Sequence, residues 1–150
     1  MKTWRRVVCL AAVMLLVVVG LVACAPSARD IPADEAEVLR GELEPKVDNL
    51  LDGLESGDYA AFTRDFDAQM REAMTEAKFA DLRAQFDEKL GRYQARQFVK
   101  AEEIKEFTAL IYDARFEDEE QVTVRVVFRQ QDGQWLVTGL WFDSPKLRAK

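Results

Sequence analysis

Between Val122 and Phe142 the side chains alternate around a single Asp132-Gly133 step. Val122, Val124, Val126 and Phe128 share one parity, while Thr123, Arg125 and Arg129 take the other. A period of two sends successive side chains to opposite faces of a strand. Asp-Gly suits a two-residue turn in which both central positions need positive φ. The segment therefore predicts an antiparallel hairpin, with Trp135 to Phe142 as its returning strand. Simple alternation puts Trp135 and Trp141 on one face and Phe142 on the other, so at least one large ring is expected at the surface. Upstream, Phe107 to Phe116 reads as a strand with Leu110, Tyr112, Ala114 and Phe116 on one side. Tyr93 to Lys100 reads as the first strand, although its alternation is poor.

Before Arg92 the period is helical. Asp34 followed by Glu37 has the form of a helix start. Leu39, Leu43, Val47, Leu50, Leu51 and Leu54 then recur at helical spacing. Pro45 falls inside this run, where it either kinks one helix or opens a second at its first turn. Ser56-Gly57 predicts the end, and Asp58 a cap for the next helix. Tyr59, Phe62, Phe66, Met70 and Met74 form a second stripe, with Asp67 placed to restart a helix after a bend near Phe66. Thr75 predicts the cap of a further helix carrying Phe79, Leu82, Phe86 and Leu90 on one face, with Gly91 as its stop. Helices first and a meander of strands afterwards specify an α+β domain, its helices covering one side of an antiparallel sheet of about four strands.

The N-terminus has a different character. Met1 to Arg6 is basic, Val7 to Val22 is an uncharged apolar run, and Ala23 precedes Cys24. This is the order of an export signal. Leu21-Val22-Ala23-Cys24 resembles the lipobox of bacterial lipoproteins. That resemblance implies diacylglycerol transfer to the Cys24 sulfur and cleavage before it, with the membrane as partner through the lipid. Two or three acyl chains hold a domain stably on a bilayer, since each buried CH₂ contributes about 0.8 kcal/mol. Ala25 after Cys24 implies, by the same resemblance, the outer membrane where the host has two. The expected division is a signal peptide at 1–23, a lipidated Cys and tether at 24–33 (with Pro26, Ser27 and Pro32), a domain at 34–145 and a basic tail at 146–150.

Charge and composition narrow the function. Without the three basic residues of the first 23, the chain from Cys24 onward holds 18 basic and 27 acidic residues, net −9. Such a surface repels phosphate backbones, so no nucleic-acid partner is expected. Cys9 would leave with the signal and Cys24 would stand alone, which leaves no intramolecular disulfide. Histidine is absent, removing the commonest general base near neutral pH and the commonest metal ligand. Glu117-Asp118-Glu119-Glu120 lacks the ligand spacing of an EF-hand and reads as a solvated loop between strands. No catalytic residue, metal or cofactor is assigned.

Gly57-Asp58-Tyr59, Phe66-Asp67, Leu90-Gly91 and Gly139-Leu140, set among these elements, resemble a bacterial domain of unknown function, DUF3887, within the nuclear transport factor 2-like (cystatin-like) group. The resemblance covers roughly Val47 to Asp143. It implies a cone: a curved sheet wrapped against helices, with an apolar interior that opens at one end. Tyr59, Phe62, Phe66, Tyr93, Tyr112 and Trp135 are the candidates to line it, although such rings serve more often as core. The expectation is an extracytoplasmic, non-enzymatic module that binds a small apolar ligand or an envelope protein. Enzymes of the superfamily suggest the alternative, a small isomerase or dehydratase using an Asp–Tyr pair. Asp58, Asp65, Asp67, Asp113, Tyr59, Tyr93 and Tyr112 supply the residue types.

Overall fold

A computed structural model describes residues 27–149. The expected signal and Cys24 lie outside them. The described residues comprise β1 (Arg29–Asp30), α1 (Ala33–Ser56), α2 (Tyr59–Thr63), α3 (Ala68–Ala73), α4 (Glu76–Lys89), β2 (Tyr93–Ile104), β3 (Phe107–Phe116), β4 (Val122–Gln131), β5 (Gln134–Asp143) and α5 (Pro145–Arg148). The strands form one antiparallel sheet in the order β1-β2-β3-β4-β5. The domain is α+β as expected, with four helices ahead of the β2–β5 meander of a curved sheet to which β1 adds a fifth strand. Among the described residues no helix is long and apolar enough to cross a membrane.

The extra strand comes from the segment read as a tether. Arg29 pairs with Glu103 and Asp30 with Glu102, and the Ile31 amide donates to the Ala101 carbonyl. Ile31 is buried against the core, so an apolar side chain draws this polar stretch onto the sheet. α1 then starts at Ala33 behind Pro32, with no side-chain cap. Asp34, expected as the cap, lies in the first helical turn instead, where its charge favours the positive end of the helix dipole. The helix continues through Pro45 for 24 residues. Pro45 is exposed, while Leu43, Val47, Leu50, Leu51 and Leu54 are buried. An interior proline costs about 3 kcal/mol, but each of those side chains returns about 1.5–3 kcal/mol on burial. The stripe outweighs the break.

The other three predicted caps form. Asp58 Oδ1 accepts the Ala61 amide at 2.9 Å, Asp67 Oδ1 the Met70 amide at 2.7 Å, and Thr75 Oγ1 the Lys78 amide at 3.3 Å. Each cap stabilises its helix by about 1 kcal/mol. The β4–β5 hairpin turns on Asp132 and Gly133 with φ of 52° and 78°, as the Asp-Gly step predicts. β2 runs to Ile104 rather than Lys100, and its register breaks between Tyr93 and Ala95 and between Phe98 and Lys100. Each bulge inverts parity along the strand, which explains the poor alternation.

A third break corrects the reading of β5. Phe128 opposes Val137 and Val127 opposes Gly139, which leaves Thr138 as the extra residue. Residues on either side of it therefore exchange faces. Trp135 joins Val137, Leu140 and Phe142 toward the helices, while Trp141 stands on the outer face. The core lies between the helices and the inner face, where Leu110, Tyr112, Val124, Val126 and Phe128 meet Leu43, Leu50, Phe62, Phe79 and Phe86. The segment read as a basic tail begins with the α5 turn, capped by Ser144 and packed through Leu147.

Candidate functional site on the two faces of the sheet

The six rings expected to line an interior pocket divide between the core and its edge. Phe62 packs 4.7 Å from Phe79 and 5.2 Å from Phe66 between ring centres, and both Phe62 and Phe66 are buried. Tyr59 extends this cluster toward Phe79, and its hydroxyl donates to the Met74 carbonyl at 2.7 Å. Trp135 packs on the inner edge of β5. Tyr93 borders a cleft of about 240 Å³ with Glu55, Arg83 and Phe116. Tyr112 is sealed inside and donates to Glu44 Oε2 at 2.9 Å.

Arg96 joins Tyr93 to Tyr112, which sequence spacing did not reveal. It reaches from β2 to α1, pairs with Glu44 and Asp48, and donates to the Tyr93 hydroxyl at 3.2 Å. Its guanidinium lies 5.3 Å from the centre of the Tyr112 ring. Burial is the largest influence on Arg96 and pulls its pKa down, but hydrogen bonds with Asp48, Tyr93 and Glu44 together raise it. Burial, followed by the charge and hydrogen bond of Glu44, drives the Tyr112 phenol far above its ordinary range. The paired arginine and the buried phenol make a clasp between α1 and the sheet. Among the described residues no aspartate accepts a hydrogen bond from a tyrosine hydroxyl.

The acidic loop is tied down as well. Glu117 pairs with Arg92, and the Asp118 amide donates to the Leu90 carbonyl at 2.9 Å. Among the described residues no three histidine, cysteine or carboxylate side chains are grouped to hold a metal.

The opposite face of the sheet is open. Ile104, Phe107, Ala109, Val127 and Trp141, with Arg125 and Thr138, line a groove of about 550 Å³. Trp141 is 57% exposed. Its indole lies across Gly139, where an added Cβ would sit 2.5 Å from the ring. The glycine thus provides the space in which the ring lies along the sheet. Arg125 and Lys100 both pair with Glu102, which is buried under the groove's edge. The Lys100 hydrogen bond is the main influence lowering the Glu102 pKa; burial opposes it and Arg125 adds to it. Arg129 spans Asp67 at 3.3 Å and the Phe107 ring at 5.9 Å. Lys100, Arg125 and Arg129 are therefore paired, and the groove's surface is largely apolar.

Compared with known families, residues 47–133 match the one described as "Protein of unknown function (DUF3887)". The chain belongs to the DUF3887 family. The DUF3887 match runs from Val47 in α1 to the Gly133 turn. It takes in most of the groove, from Ile104 to Val127, and stops before Thr138 and Trp141. No curated protein matches this DUF3887 chain.

The sequence reading missed this groove, for which one signal was available. Phe107 to Tyr112 is almost continuously apolar, a pattern that fits a strand covered on both faces. Its other wall needed the Thr138 bulge to turn Trp141 outward.

Proposed function

We propose that the protein is a lipid-anchored, extracytoplasmic binding module of nuclear transport factor 2-like architecture, with the outer groove as its binding surface. The observation that carries this reading is the open apolar groove beside an interior whose rings are packed together. Hydrophobic side chains left open along one groove favour an apolar ligand or partner. The anchor rests on the basic, apolar and Leu21-Val22-Ala23-Cys24 order of the sequence. The isomerase-like alternative gains no support from the tyrosines, whose hydroxyls contact Met74, Arg96 and Glu44 rather than an aspartate.

Two measurements test the reading. Cys24→Ala should leave an uncleaved precursor that incorporates no labelled fatty acid; maturation to the wild-type size would remove the anchor. The chain from Ser27 onward, which holds the whole described core, should bind the apolar dye anilinonaphthalene sulfonate. Val127→Arg should weaken that binding by about tenfold or more while the circular dichroism spectrum stays native. Equal dye binding by the variant would remove the groove from the proposal.

A further inference from the structure

We infer that the outer groove faces the bilayer carrying the anchor, and that its occupant is the acyl region of membrane phospholipid. This rests on the lipoprotein reading and adds an orientation to it. Because β1 is antiparallel to β2, with Arg29 opposite Glu103, the chain before Arg29 leaves the sheet toward the β2–β3 turn that follows Ile104. The groove begins at that same end. Ile104 and Phe107 form its first row and Ala109 and Val127 its second, and Arg125 with Trp141 closes it. Asp30 opposes Glu102, which opposes Ala109, which opposes Val127. The anchored edge and the middle of the groove thus share one lateral row of the sheet.

Reach then limits orientation. Cys24 precedes Arg29 by five residues, which span at most about 18 Å in any conformation. A domain of this length is roughly 35 Å across. The connection is shorter than the domain it holds, so the turn after Ile104 stays near the lipid surface. The turn itself carries one cation and one anion, the exposed Lys105 and Glu106, and the other charges beside the groove are paired. Arg29 pairs with Glu103, Lys100 with Asp30 and Glu102, Arg125 with Glu102, and Arg129 with Asp67. A tryptophan beside apolar side chains and paired charges suits the boundary between headgroups and acyl chains.

The test uses the full acylated protein reconstituted into phosphatidylcholine vesicles, with or without bromine on the lipid acyl chains. The chain from Cys24 onward contains Trp135 and Trp141, so Trp135→Phe leaves Trp141 as reporter and Trp141→Phe leaves Trp135. Brominated lipid should remove roughly half or more of the Trp141 emission, as expected for a ring 5–10 Å into the interface, and little of the Trp135 emission. If Trp135→Phe does not fold, the difference between wild type and Trp141→Phe gives the same contrast. Protein that carries its lipid by mass and floats with the vesicles, yet shows no Trp141 quenching, would overturn the inference and leave the anchor standing. Blue-shifted but unquenched Trp141 emission would overturn it in favour of a protein partner or second copy. Protein that carries no lipid and fails to float would overturn the anchor itself and the inference with it.

Discussion

Val124→Asp should abolish the folded state. Val124 is fully buried on the inner face, opposite Tyr112 on β3 and Phe142 on β5. An aspartate there would bring a carboxylate among Val122, Val126 and Leu110. Burying an unpaired carboxylate, or paying to protonate it, costs several kcal/mol, and the lost valine packing adds to that. Domains of this size are stable by only about 5–15 kcal/mol. A circular dichroism melt should show no cooperative transition for the aspartate variant. Val124→Ala, which removes only methyl groups, should remain folded with a loss of about 2 kcal/mol. A native-like melt for Val124→Asp would mean that β4 presents its other face to the helices.

Gly53→Ala should destabilise the domain although it improves helix propensity. Gly53 sits within α1, where α2 crosses close beside it. A Cβ on Gly53 would lie 2.4 Å from the Phe62 amide nitrogen and 2.8 Å from Phe62 Cα. These are main-chain atoms, and no rotamer change can move them aside. Alanine gains about 1 kcal/mol over glycine in a helix interior, whereas forced overpacking costs about 1–3 kcal/mol. Backbone meeting backbone belongs at the upper end of that range, because α2 must shift as a unit and take Phe62 out of its contacts with Phe66 and Phe79. Thermal unfolding should move down by about 5–10 °C. An unchanged or raised midpoint would show that the two helices separate at little cost. By contrast, Gly41 has open space around its position, so Gly41→Ala is the matched control and should stabilise slightly.

These positions also mark the limits of reading the chain in one dimension. Asp58, Asp67 and Thr75 were legible as caps because a cap is a local bond, made within three residues of the side chain. Asp132-Gly133 was legible because a two-residue turn depends on the φ of its own residues. Gly53 carries no such mark: the reason for its missing side chain is Phe62, on another helix. The Arg96 clasp was equally hidden, since Glu44 and Arg96 lie 52 positions apart and meet only where α1 crosses β2. The candidate pocket residues were chosen as aromatic types, and the same ring serves as core or as lining according to what packs against it.

The sequence by itself determined the order of helices and strands, most of their ends and the parity of the longest alternating strand. Those features depend on neighbours along the chain, through capping, turn geometry and periodic burial. Tertiary structure decided that Arg29–Asp30 becomes an edge strand, that α1 survives Pro45, and that Trp141 rather than Trp135 faces outward. Each of these outcomes is set by the fit of one surface against another, such as Ile31 against the core or a bulge at Thr138 against the register of β4. That fit exists only after distant segments have met.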